Sequence, residues 1–155
     1  MTKLRDQVME FSKAFAVHIR ETPGIPDDDT VKLRLKLIGE EFCELLEACG
    51  YRGASIAIWS RLTDALSAAP KMDLVAAVDA LGDMQYVISG SYLACGVDDE
   101  PITDEIHASN MTKLGADGKP VYLPGGKVGK GPSFRRPDLK AVLVEEQGWN
   151  PGGEP

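Results

Sequence analysis

Cysteine and histidine are scarce in this chain, with three of the first and two of the second among 155 residues. Cys43, Cys49 and Cys95 cannot all pair, and no C-x-x-C spacing offers a zinc site. Each lies in an apolar helical stretch, which reads as a small buried hydrophobe. The two histidines also exclude a carboxylate-bridged di-iron bundle, which uses two E-x-x-H motifs; only His107 has an acid three residues before it, Asp104. Long hydrophobic runs are missing. The longest apolar stretch, around residues 84–97, is too short to span a membrane and contains Gln, Ser and Gly. Residues 1–20 mix charged and apolar positions and resemble no signal peptide, so a cytoplasmic, reducing location is expected. Positive charge is in deficit too. A net charge of −7 argues against nucleic acid as a partner, because a phosphate backbone rewards a basic surface.

What is present is acid in one place and base in another. Residues 113–140 hold seven Lys/Arg against two Asp, which leaves the rest of the chain at −12. Four carboxylates, Glu40, Glu41, Glu44 and Glu47, fall within eight positions of a predicted helix over about 29–49. At ~100° per residue Glu40, Glu44 and Glu47 share a sector, with Glu41 at its edge. Like charges at i,i+4 repel, so water, a basic partner or a metal ion must offset them. Leu33 and Leu37 lie in line with Glu40 and Glu44, opposite a main apolar stripe of Val31, Leu35, Ile38, Phe42, Leu45 and Cys49. This turns the acid sector toward a sheltered interior; the alternative is a charged outer face bearing two stray leucines.

The periodicity predicts further helices over 3–20, 54–68, about 71–95 and 100–113, and a short one over 138–147. The helix after Pro70 is apolar nearly all round and should lie within a bundle. Between Leu74 and Val97 its only charges are Asp79 and Asp83, one turn apart, and it contains no Lys or Arg to neutralise them. Sharing a divalent cation with the first acidic helix is an economical solution, since an unpaired buried carboxylate costs several kcal/mol. Asn110 and Lys113 share a face of the next helix and can bind phosphate or sugar together. Residues 115–137 form a Gly/Pro-rich basic loop, with a short hairpin expected around Val121–Leu123. Such a loop can present N–H groups and ammonium ions to phosphate. It matches no Walker pattern, and a flexible linker reads equally well. The chain is expected to be an all-α bundle of four to five helices. It forms one domain over 1–147, with the basic loop at 113–137 and a flexible tail at 148–155.

E-E-x-x-E on one helix, LGDMQYV on a later one and EIHASNMTKL after it resemble the all-α nucleoside triphosphate pyrophosphohydrolases. These include MazG, dimeric dUTPases and phosphoribosyl-ATP pyrophosphohydrolase. The resemblance runs from about Phe11 to Leu139. The third block matches an H-x-x-N-x-x-K segment frequent in the family. One departure stands out: the family's second motif is E-x-x-D, whereas Ala80 lies three before Asp83, and Asp79 lies four before it. The resemblance implies hydrolysis of a (d)NTP to (d)NMP and diphosphate with two or more Mg²⁺ or Mn²⁺ ions, for nucleotide-pool cleaning or (d)NMP supply. Glu40, Glu41, Glu44, Asp79 and Asp83 would hold the metal between the two acidic helices, with Glu41 as base. Lys113 would neutralise phosphate charge during catalysis, joined by Lys130 or Arg135. Tyr86 and Asn110 are candidates for sugar or phosphate contacts. A homodimer or homotetramer is expected, because the apolar helix has more surface than one small bundle covers. The competing reading is a non-catalytic helical oligomer that binds nucleotide or metal in a regulatory or assembly role.

Overall fold

The structure, a computed structural model, describes residues 2–152. Among them the elements are α1 (Lys3–Ala14), α2 (Asp28–Ala48), α3 (Arg52–Ala65), α4 (Leu74–Ala94), α5 (Asp99–Met111) and α6 (Leu139–Ala141), the last running into a π-helical turn, Val142–Glu146. The fold is all-helical, and extended pairing among the described residues is confined to one isolated antiparallel bridge, Tyr122–Val128. The last residues of the expected tail, from 153 onward, lie outside the described residues.

The chain divides into two units, one of Arg20–Ala77 and the other of Met1–Ile19 with Val78–Pro155. The first is built on a hairpin of α2 and α3. Asp27 caps α2 by accepting from the Thr30 N–H and hydroxyl, both at 2.8 Å. At the other end Gly50 takes a φ of +87° while the Tyr51 N–H reaches the Leu46 carbonyl, a Schellman stop that reverses the chain into α3. The two helices meet on a face other than the apolar stripe. A Cβ at Gly39 would overlap the end of Leu62, so the missing side chain makes the seat for that leucine. One turn on, buried Cys43 points its thiol at the Ser55 carbonyl (3.6 Å), and the Ser55 hydroxyl donates to Glu47 Oε1 at 3.0 Å. Glu47, the fourth acid of the cluster, is thereby tied to the hairpin.

This corrects the expected packing. Val31 is buried, but Leu35, Phe42 and Leu45 are exposed, and so is Cys49. The physical reason is the close approach that glycine, cysteine and serine allow, which draws α3 onto the Gly39–Cys43 line. Cys95, also expected inside, is exposed beyond the end of α4.

In the second unit α1 packs on α5. Lys3 bridges Glu100 and Asp104 at 2.7 and 2.6 Å, Gln7 donates to Asp104 at 2.6 Å, and His107 meets Glu10 at 3.2 Å. Phe11 stacks on the fully buried Phe15 with ring centroids 4.2 Å apart. The helix stops at Ala14 rather than running on to 20. Ala16 adopts a φ of +46°, and the Val17 N–H closes back onto the Ser12 carbonyl. That is the geometry glycine usually supplies, and alanine holds it at some cost in strain. Ile102 is buried in α5, and Val142 is buried in the C-terminal turn that packs on it. Gln147 fastens this end to the start of α5, exchanging two bonds with the Asp98 backbone at 2.8 and 3.0 Å.

Candidate active site

The three acids of α2 sit on a surface rather than in an enclosed cavity. Glu40 is half-buried, whereas Glu41 and Glu44 are exposed. Leu33 and Leu37, which signalled a sheltered sector, are only half-buried. The helix places Glu40 and Glu44 four residues apart on one face, with Glu41 beside them.

On α4, Asp73 starts the helix by accepting from the N–H groups of Val75 and Ala76 (2.9 and 3.1 Å), so that Asp79 and Asp83 fall one turn apart within it. Both are exposed, and so is nearly every apolar residue around them. Val75 and Leu93 are each 80% exposed and Tyr86 82%. A helix expected inside a bundle is therefore uncovered.

Among the described residues, no group of three or more His, Cys, Asp or Glu is arranged to hold a metal ion. The donors are nevertheless of one kind. Each acidic helix offers an i,i+4 pair of carboxylates, Glu40 with Glu44 and Asp79 with Asp83, and neither carries a histidine; the one thiol on α2, Cys43, is buried against Ser55, and oxygen donors of this kind suit Mg²⁺ or Mn²⁺. Mg²⁺ takes one or two carboxylates and keeps its other sites for water and phosphate oxygens.

The cationic residues gather around the end of α5. Asn110 and Lys113 are half-buried there, and the Lys113 ammonium lies 6.0 Å from the centre of the Phe11 ring. The loop that follows is ordered by bonds to α5 and α1. Its hairpin is closed by Leu123 N–H to Lys127 carbonyl and Gly129 N–H to Val121 carbonyl (2.8 and 2.7 Å), with Gly125 and Gly126 at positive φ in the turn. The Tyr122 hydroxyl pins this hairpin to the Phe15 carbonyl at 2.8 Å. Further on, the Gly131 N–H donates to the Lys113 carbonyl at 2.9 Å, and the Lys130 ammonium sits 4.7 Å over the Phe134 ring.

Arg135 does something other than was expected of it. Its guanidinium grips the Glu105 carboxylate through both amino groups, and Glu105 also accepts from the Asp138 N–H at 2.8 Å. The Arg135 guanidinium, aided by that backbone donor, holds the Glu105 carboxyl at about 2. Reasoning from sequence missed this partner of Arg135. The available signal was the i,i+4,i+7 spacing of Glu105, Ser109 and Thr112 on α5.

An all-helical chain with carboxylate pairs on two helices and lysines beside a third defines a class, the all-α NTP pyrophosphohydrolase superfamily. Residues 8–110, more than half of the chain, match the family model of phosphoribosyl-ATP pyrophosphohydrolase, and the chain belongs to that family. A crystal structure of a candidate NTP pyrophosphohydrolase from Exiguobacterium sp. 255-15 is similar over 94% of this chain and 96% of its own, at 26% identity and a TM-score of 0.72. No curated protein is a significant sequence relative of the chain. The family match ends at Asn110, so Lys113 and the whole basic loop lie beyond it.

Proposed function

We propose that the protein is a metal-dependent nucleoside triphosphate pyrophosphohydrolase, converting a (d)NTP and water to (d)NMP and diphosphate. The observation that carries this reading is the pairing of chemistries: carboxylates at i,i+4 on both α2 and α4, and a backbone hydrogen bond from Gly131, the neighbour of Lys130, to the Lys113 carbonyl. Glu40, Glu41, Glu44, Asp79 and Asp83 would hold two or more Mg²⁺ or Mn²⁺ ions. Asp79 here takes the place of a glutamate and is one methylene shorter. Bound metal supplies charge neutralisation of the phosphates and a lowered pKa for an attacking water.

The chain's own groups do the rest. Lys113 and Lys130 offset phosphate charge, most strongly as charge builds on the leaving diphosphate. Asn110, and Tyr86 on α4, contact sugar or phosphate. Glu41 accepts the proton of the water as its oxygen bonds to phosphorus and the bond to the bridging oxygen breaks. Arg135, committed to Glu105, is left out of this set.

The enzyme works as a homodimer or homotetramer, in nucleotide-pool cleaning or (d)NMP supply. Support for assembly comes from α4, where Val75, Val78, Leu81, Val87, Ile88 and Leu93 are all exposed; exposed apolar side chains gathered on one element mark interaction sites.

A diphosphate-release assay with dUTP, dCTP, dATP, dGTP and phosphoribosyl-ATP, run with Mg²⁺ and with Mn²⁺, tests the reading. Turnover of at least one compound, abolished by chelation, is the expected result. Nucleotide binding without turnover of any of them would favour a regulatory oligomer instead.

A further inference from the structure

One face of α5 carries no part of the proposed chemistry, yet every polar side chain on it is spent on the same short segment. Glu105 holds the Arg135 guanidinium and the Asp138 N–H. One turn on, Ser109, only 2% exposed, donates its hydroxyl to the Arg135 carbonyl at 2.8 Å. Another turn on, the Thr112 hydroxyl accepts from the Arg135 N–H at 3.0 Å. Residue 135 is thus held by its side chain, its carbonyl and its amide at once. Surface ion pairs alone are worth little, but here the pair is one part of a set that fixes the backbone.

The segment so fixed bears Lys130. The Gly131 N–H donates to the Lys113 carbonyl, and a Cβ on Gly131 would overlap the Leu114 carbonyl oxygen. The two backbones therefore run in contact, and a lysine leaves each of them beside the contact. Each ammonium lies over a phenylalanine ring, Lys113 on Phe11 and Lys130 on Phe134. A cation over a ring face is oriented while keeping donors for an anion.

We infer that Glu105 is a positioning residue: by clamping Arg135 and Asp138 it holds the loop against α5, so that Lys113 and Lys130 act as one preformed pair for the phosphate chain of a nucleotide. This rests on the pyrophosphohydrolase reading and assigns a role to a part of the chain outside the family match.

The test is a double-mutant cycle on the full-length protein, with Glu105→Gln, Arg135→Gln and both together. Glu105→Gln is expected to raise the nucleotide KM about tenfold and to weaken inhibition by inorganic diphosphate in parallel, with kcat within about threefold of wild type. Groups acting as one unit are non-additive, so the double variant should cost no more than the worse single. The amides of Gly131, Phe134, Arg135 and Asp138 should exchange faster with solvent, while those of α2 and α3 do not change. Unchanged KM, an equal fall in kcat, or additive effects would overturn the inference. If Glu105→Gln does not fold, Arg135→Lys, which keeps the charge and loses the fork, is read against the same criteria. If no nucleotide is turned over, the pyrophosphohydrolase reading fails separately. Calorimetric binding of diphosphate then decides the clamp: it should weaken about tenfold in Glu105→Gln, and no binding by wild type, or equal binding by both, refutes it.

Discussion

Helices α4 and α5 follow one another in the chain and are used in opposite ways. α4 has 21 residues, the most apolar of any helix here, and leaves nearly all of them exposed. α5 has 13 residues, many of them charged or polar, and its sides are committed: to α1 through Glu100, Asp104 and His107, to the loop through Glu105, Ser109 and Thr112, and to the interior through Ile102. Apolar composition states how much burial a helix demands; it does not say that its own chain will supply the cover. Polar composition likewise does not mean solvent, because polar side chains can secure backbone that would otherwise wander. The helix that looks like core is thus the unfinished surface, and the helix that looks like surface is the hub.

This contrast can be broken in three places. The largest effect is expected at the acids of the apolar helix. Asp83→Asn, and its counterpart Glu44→Gln on α2, should lower diphosphate release by more than about a hundredfold while the far-ultraviolet circular dichroism is unchanged. Near-wild-type rates would show that α4 carries its acids for some purpose other than metal. Next is the apolar surface itself. Val87→Asp places a charge on an exposed position, which in a lone protomer costs within about 0.5 kcal/mol. At the centre of an interface it should weaken association by about 2 kcal/mol or more, read as a smaller mass by light scattering on a sizing column. An unchanged mass would mean that this part of α4 faces water in solution. The smallest effect tests the hub. Ser109→Ala strips a buried hydroxyl from the Arg135 carbonyl and should cost about 1–2 kcal/mol in urea unfolding. A neutral result would demote the polar face of α5 to decoration.

Much of the fold was legible in residues alone, and the failures have physical causes. The helix expected over about 29–49 runs over Asp28–Ala48, with Asp27 capping its start and Gly50 at its stop, because capping is local chemistry. The end of α1 was misjudged because Ala16 does there what only glycine signals reliably. The packing face of α2 was misjudged because hydrophobic periodicity ranks leucine and phenylalanine above glycine, cysteine and serine. Yet a glycine facing Leu62 admits a closer neighbour than a phenylalanine can. The carboxylate positions on α2 and α4 followed from spacing along single helices. The commitment of Arg135 did not, since its partner lies 30 residues away in sequence.

By itself the sequence determined what is local or one-dimensional: helical class, capping, the i,i+4 carboxylate pairs and the segregation of acid from base. Those follow from backbone periodicity and side-chain chemistry, which need no partner. Tertiary structure alone decided which faces close. It set small residues rather than the apolar stripe between α2 and α3, left α4 uncovered, and paired Arg135 with Glu105. Each of these depends on how near another backbone can come, and that distance is written in no single stretch of chain.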